Sequence, residues 1–267
     1  MTSPADYGTA QAYQVRAAAR SGKLAGPTAG MARGFVQANL VILPQTAARD
    51  FAAFCRLNDR PCPLLEETAP GNPEPFRSAP GADLRSDVPR YRVFDHGVPR
   101  AEESADVRSL WRADFVAFLL GCSFTFETAL EAAGLPVRHI HQRRNVPMYR
   151  TSIACQPAGR FAGPLVVSMR PYRIEQIEQV IEVTGRYPAM HGAPLHVGDP
   201  AALGIADLAR PDFGDAVTIE EGEIPVFWAC GVTPQLALAA AAPEIAITHS
   251  PGCMFVTDWK EEAFCTV

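Results

Sequence analysis

The segment FVQANLVIL at positions 35–43, closed by Pro44, constrains the fold more than any other part of this chain. A short, almost unbroken apolar run of this kind, bounded by turn formers, reads as a strand buried on both faces. A helix follows directly, because Ala47, Phe51, Phe54 and Cys55 recur at i, i+4, i+7 and i+8 and share one face. The same alternation continues along the chain. Strands are predicted at 63–66, 91–94, 148–153, 164–169, 217–219, 224–229, 245–248 and 254–257, and helices at 10–20, 110–120, 124–133, 174–184 and 233–241. Residues 95–97, Asp-His-Gly, supply a hairpin turn. Residues 68–89 are rich in Pro, Gly and Asp and have no period, so they pack over something rather than merely connect. Strands alternating with helices predict the α/β class, with an antiparallel α+β part in the middle. No clean linker divides the chain, which suits a middle part inserted into an outer one.

Several function classes are excluded early. A net charge of −5 offers no basic surface for nucleic acid. No window of 18 apolar residues exists, so no membrane span is expected. The first 20 residues are polar and alanine-rich and lack the apolar core of a secretory leader, which predicts a cytoplasmic protein. The seven cysteines are odd in number, scattered and without a CxxC pair, so they read as buried thiols rather than disulfides or a zinc ribbon.

Chemistry concentrates in residues 191–215, HGAPLHVGDPAALGIADLARPDFGD. Asp and Gly are poor in strands and helix interiors, so this run must be loop that presents its polar side chains. Its Gly-Asp-Pro and Pro-Asp-Phe-Gly-Asp pieces are also good turn formers. His191 and His196 are candidate bases, with Asp199 able to orient one of them, and Asp207, Asp212 and Asp215 lie close by in sequence. The same donors suit zinc or manganese, but no metal-binding helical spacing is present, so no cofactor is assigned and a divalent metal is the rival reading.

A second cluster is basic: HIHQRRNVPMYR, containing His139, His141, Arg143, Arg144, Asn145, Tyr149 and Arg150. Arg150 and Arg170 each follow an apolar run, at strand ends, where a guanidinium can hold a carboxylate. Arg143 and Arg144 read equally well as surface ion-pairing residues. Cys230 and Thr233 sit where strand IPVFWA turns into a helix, whose free N–H groups favour an anion; Thr233 and Gln235 are candidate hydrogen-bonding groups, and Cys230 a candidate nucleophile or a small buried residue. His249 follows another strand. The GPTAG turn at 26–30 lacks the lysine of a P-loop, and no GxSxG elbow is present.

These pieces together resemble the hydro-lyases of the D-glutamate cyclase family. The resemblance is carried by GPTAG, GFVQANLVILP, RPCPLLE, PGADLRSDVPRYRV, FLLGCSFTFE, RNVPMYRTSIAC, GPLVVSMRP, HGAPLHVGDP, DLARPDFGD, PVFWACGVTPQ and ITHSPGCMFVTD, which span nearly the whole chain. One position departs: Cys253 stands where the family pattern has histidine. The resemblance implies a three-layer Rossmann-like domain made of residues 1–115 and 226–267, carrying an inserted two-layer α+β domain of residues 116–225. It also implies carbon–oxygen lyase chemistry, of which the cyclisation of D-glutamate to 5-oxo-D-proline with loss of water is the named example.

On that reading His191 or His196 takes the ammonium proton, Arg150 and Arg170 clamp the α-carboxylate with Asn145 and Tyr149 nearby, and N–H groups at 231–233 stabilise the oxyanion. Alternatives are hydration of an unsaturated small acid, a non-enzymatic small-acid binding protein, and metal-dependent chemistry through His191, His196 and Asp199. The expected partner is a small carboxylate, with a homodimer the commonest assembly.

Overall fold

The computed structural model describes residues 7–266. Residues 1–6, the start of the stretch read as lacking a leader, lie outside the described residues. Six α-helices and eleven strands are present among the described residues. The helices are α1 (Ala12–Arg20), α2 (Gln45–Leu57), α3 (Glu127–Ala132), α4 (Arg138–His141), α5 (Ile177–Gly185) and α6 (Thr233–Ala241). The strands are β1 (Phe35–Pro44), β2 (Leu64–Glu67), β3 (Tyr91–Asp95), β4 (Val98–Pro99), β5 (Phe115–Gly121), β6 (Met148–Ala154), β7 (Pro164–Arg173), β8 (His196–Val197), β9 (Glu223–Ala229), β10 (Ile245–His249) and β11 (Phe255–Lys260).

The Rossmann-like α/β expectation is overturned. The strands form a seven-stranded sheet, ordered β2-β5-β1-β10-β3-β4 with β11 also on β1, and a four-stranded sheet ordered β6-β7-β9-β8. Every strand pair in both is antiparallel. The fold is therefore mixed α+β. Two features of the sequence misled. Alternation of strand and helix does not require a crossover to a parallel neighbour: α2 follows β1, yet the next strand, β2, pairs with β5. A strand buried on both faces is also as compatible with the middle of an antiparallel sheet as with a parallel one. In addition, residues 115–121, expected as helix, form β5, paired with β1 over seven residues from Ala38↔Gly121 to Pro44↔Phe115.

β1 is buried throughout and organises both faces of the larger sheet. Leu40 and Ile42 pack with Tyr91 of β3 and with Leu84 and Val88 of the long 68–89 segment, which covers one face as its lack of period suggested. Val41 and Leu43 face the other way and share one apolar core with Phe51 and Phe54 of α2 and Tyr149, Val167 and Phe227 of the smaller sheet. The two sheets are thus joined by a common core. Where the end of β5 meets the 188–190 turn after α5, a glycine is required: a Cβ on Gly121 would lie 1.9 Å from the Ala189 carbonyl oxygen.

One edge of β1 is unusual. Its partner runs from Lys260 back to Phe255, opposite Phe35 to Ala38, and resumes at Thr248 opposite Val41. β10 and β11 are two pieces of one strand line, and residues 249–254 leave it where only Asn39 and Leu40 need partners. The His249 ring fills the gap: its Nδ1 lies 3.1 Å from the Leu40 nitrogen and 3.2 Å from its oxygen.

Candidate active site

The His/Asp run does not converge. His191 is buried in a left-handed conformation (φ 77°), and its Nδ1–H donates to the Arg60 carbonyl at 2.6 Å. Burial lowers its pKa to about 4. His196 lies on β8, and its Nε2–H donates to the backbone oxygen of Asp199 at 2.8 Å. The Asp199 carboxylate does not orient that ring; it accepts the Ala201 N–H and caps a short 3₁₀ turn. Asp207 accepts the Ala209 N–H in a turn of the same kind. Among the described residues no three His, Cys, Asp or Glu side chains are grouped as metal ligands.

The far end of that run does meet the basic cluster. Asp212 accepts the Arg150 N–H at 2.8 Å, and the exposed Arg150 side chain pairs with it at 3.5 Å. Asp215 accepts the Asn145 N–H at 2.9 Å and returns its own N–H to the Asn145 carbonyl. The Tyr149 hydroxyl donates to the Leu208 carbonyl at 2.7 Å. Residues 212–215 are thereby held alongside the start of β6.

Above this junction opens a cavity of about 520 Å³, lined by Arg33, Arg143, Arg144, Asn145 and Asp215, by the 27–30 turn and by Ile140. Three guanidiniums and one carboxylate line it, and the positive charge falls to Arg143 and Arg144 because Arg33 is paired with Glu131. Helix α4 delivers two of them. It ends in a Schellman turn, with the Arg144 N–H donating to the His139 carbonyl and the Arg143 N–H to that of Ile140. Arg143 occupies the left-handed position of this turn, φ 53°, where glycine is normally preferred. Arg144 donates to the Ala216 carbonyl and Arg33 pairs with Glu131 at 3.1 Å, whereas the exposed Arg143 guanidinium has no ion-pair partner among the described residues.

The Asn145 side chain forms the back wall. Its Nδ2 donates to the Pro251 carbonyl at 2.9 Å, and its buried Oδ1 has no partner. Gly252 fits only as glycine, since a Cβ there would lie 2.4 Å from that Oδ1. The 249–254 excursion therefore packs directly behind the cavity. His249 and Ser250 belong to it; both are buried, and the His249 Nε2 and the Ser250 hydroxyl lack partners.

The remaining sequence candidates hold the surrounding structure. Thr233 Oγ1 accepts the Val166 N–H at 3.0 Å, fastening α6 to β7. Gln235 donates to the His249 carbonyl at 3.0 Å. Cys230 is buried, which pushes its thiol up to about 11 and leaves it a poor nucleophile. Arg170 is fully buried, bonded to Glu127 and to Ser123 Oγ at 3.0 Å, and stacked over Trp228 and Phe126.

Sequence reasoning reached Arg143, Arg144 and Asp215 without settling on them, and passed over Arg33 and Glu127. The usable signal for Arg143 was a helix stop, QRRN, with no glycine at the position where the turn needs one.

A family profile described as D-glutamate cyclase matches residues 116–258, more than half of the chain. A protein of Rubrobacter xylanophilus named "Putative hydro-lyase" is 61% identical over 257 residues, covering 96% of this chain and 99% of its own length. A protein of the same description from Bacillus licheniformis is 59% identical over 251 residues, covering 94% of this chain and 95% of its own. One from Stutzerimonas stutzeri is 57% identical over 243 residues, covering 91% of each. With the profile, the length of these matches and the shared description in agreement, the chain belongs to the D-glutamate cyclase family.

Proposed function

We propose that this protein is a hydro-lyase acting on a small amino dicarboxylate, with cyclisation of D-glutamate to 5-oxo-D-proline and loss of water as its reaction. The arginine cavity carries the reading. Its volume falls in the range of small-molecule sites. Three guanidiniums opposed by one carboxylate and an amide complement a molecule with two negative groups and one positive group. Arg143 and Arg144 hold the carboxylates, and Asp215 with Asn145 receives the ammonium. Fixing both ends brings the amine to the side-chain carboxyl, a proximity effect able to remove several kcal/mol from the barrier. A guanidinium beside that carboxyl also neutralises the charge that builds on its oxygen.

Arg143 supports a role in binding rather than in the fold, because a left-handed arginine costs about 1 kcal/mol relative to glycine. R143G should therefore melt at the same or a higher temperature than wild type while conversion of D-glutamate, followed by proton NMR, falls at least tenfold. Full turnover in folded R143G overturns the assignment.

A further inference from the structure

Behind the Ile140 wall of the cavity lies a buried group of charges that the reading above does not use. Glu127 on α3, His139 on α4 and Arg170 on β7 are each at most 2% exposed. Glu127 Oε1 takes the Arg170 Nε–H at 3.0 Å and lies 3.2 Å from His139 Nε2. That last contact is an ion-pair distance out of line for a hydrogen bond, so neither ring nitrogen of His139 has an aligned partner, and Glu127 Oε2 has none. Burial works to raise the Glu127 carboxyl, but His139 and Arg170 outweigh it and hold it below the usual carboxylate range. The imidazole stacks on Phe124.

Glu127 opens onto a narrow cavity of about 10 Å³, room for a single water. Gly30, Arg33 and Ile140 line both this space and the arginine cavity, so the two are separated by one layer of residues. Arg33 and Glu131, paired with each other, are the other charged groups lining the narrow space.

We propose that Glu127 and His139 form a proton relay serving the arginine cavity across this one-water space; the proposal rests on the reading of that cavity as the substrate site. Lactam formation makes a C–N bond and breaks a C–O bond. The ammonium nitrogen gives up two protons, and both leave on the departing oxygen as water. A group that accepts and returns protons is needed and is unchanged at the end. The arginines cannot serve, because they stay protonated. Glu127, which lines the one-water space and whose Oε2 has no hydrogen-bond partner, passes the proton; His139, 3.2 Å from its Oε1, holds it in transit.

The experiment is NMR of the His139 imidazole in the wild-type protein with glutarate, a dicarboxylate that cannot cyclise, from pH 5 to 9. The relay requires its titration midpoint to move by at least half a pH unit when glutarate shifts the Arg143 and Asn145 resonances. An unmoved His139 midpoint with glutarate bound overturns the relay and leaves the carboxylate reading intact. Failure of glutarate to bind overturns that reading and the relay with it. In turnover of D-glutamate, E127Q should lower kcat at least a hundredfold with KM within threefold and remove the acid limb of the kcat profile. A folded E127Q with wild-type kcat and pH profile overturns the relay.

Discussion

Single residues carry much of this structure's specificity, and several do so through what they exclude. Gly121 is the clearest, since any side chain there would meet the Ala189 backbone. G121A should cost about 2 kcal/mol or more, read as a lower denaturant midpoint, because backbone on both sides has to move. Two buried histidines impose a pH dependence. Burial lowers His191 and His249 to about 4 in the folded protein, from 6.5 when exposed. Below pH 6.5 the unfolded chain binds the extra protons, so stability is complete above 6.5 and is lost as pH falls toward 4, by about 3 kcal/mol per histidine. Urea unfolding at pH 7.5, 5.5 and 4.5 should show that decline, and H249Q should reduce it by about half, leaving the part due to His191. The sequence made Arg143, Arg144 and Asn145 visible as a basic cluster, but it could not show that Arg143 adopts φ 53°, because that follows from the Schellman turn closing on His139. Glu127 was hidden for another reason: it ends the apolar stretch FLLGCSFTFE, and only the fold brings Arg170 to it from a strand 43 residues away.

At the scale of elements, local chemistry was read well and pairing was not. β1, α2, the β3–β4 turn, β6, β7, β9 and α6 fall where apolar periodicity placed them. Residues 110–120 misled because FVAFLLG is apolar without interruption, and such a run does not distinguish buried helix from buried strand. The start of α6 shows how a plausible anion site is consumed by packing. Thr233 Oγ1 and the Cys230 N–H are both committed to β7, and Gly231 lies against Asn39. T233V should therefore lower stability by about 1–2 kcal/mol through the unpaired Val166 N–H. Glutarate affinity, measured by calorimetry, should remain at the wild-type value; a large loss would return Thr233 to the substrate.

For the whole molecule, the decisive fact is that the two sheets share a core. Val41 and Phe118 of the larger sheet and Tyr149, Val167 and Phe227 of the smaller one belong to a single apolar cluster. Unfolding should accordingly be one cooperative transition, with fluorescence and far-UV circular dichroism giving the same midpoint. Sheet direction was the part of the fold that sequence could not supply. It depends on which strands meet across long separations, as when β1 pairs with β5 and with β10, and no local pattern encodes that choice.

The excursion at 249–254 ties the larger sheet to the wall of the cavity. The flanking pieces re-enter the same line along β1, so the register is set on either side of the excursion. Of these six residues, His249 is tied to Leu40 by its ring and Gly252 is confined by Asn145, while Cys253 lies buried beside them. A change at Pro251 or Gly252 is therefore felt first at Asn145 on the cavity wall, while the strand pairs on either side keep their register.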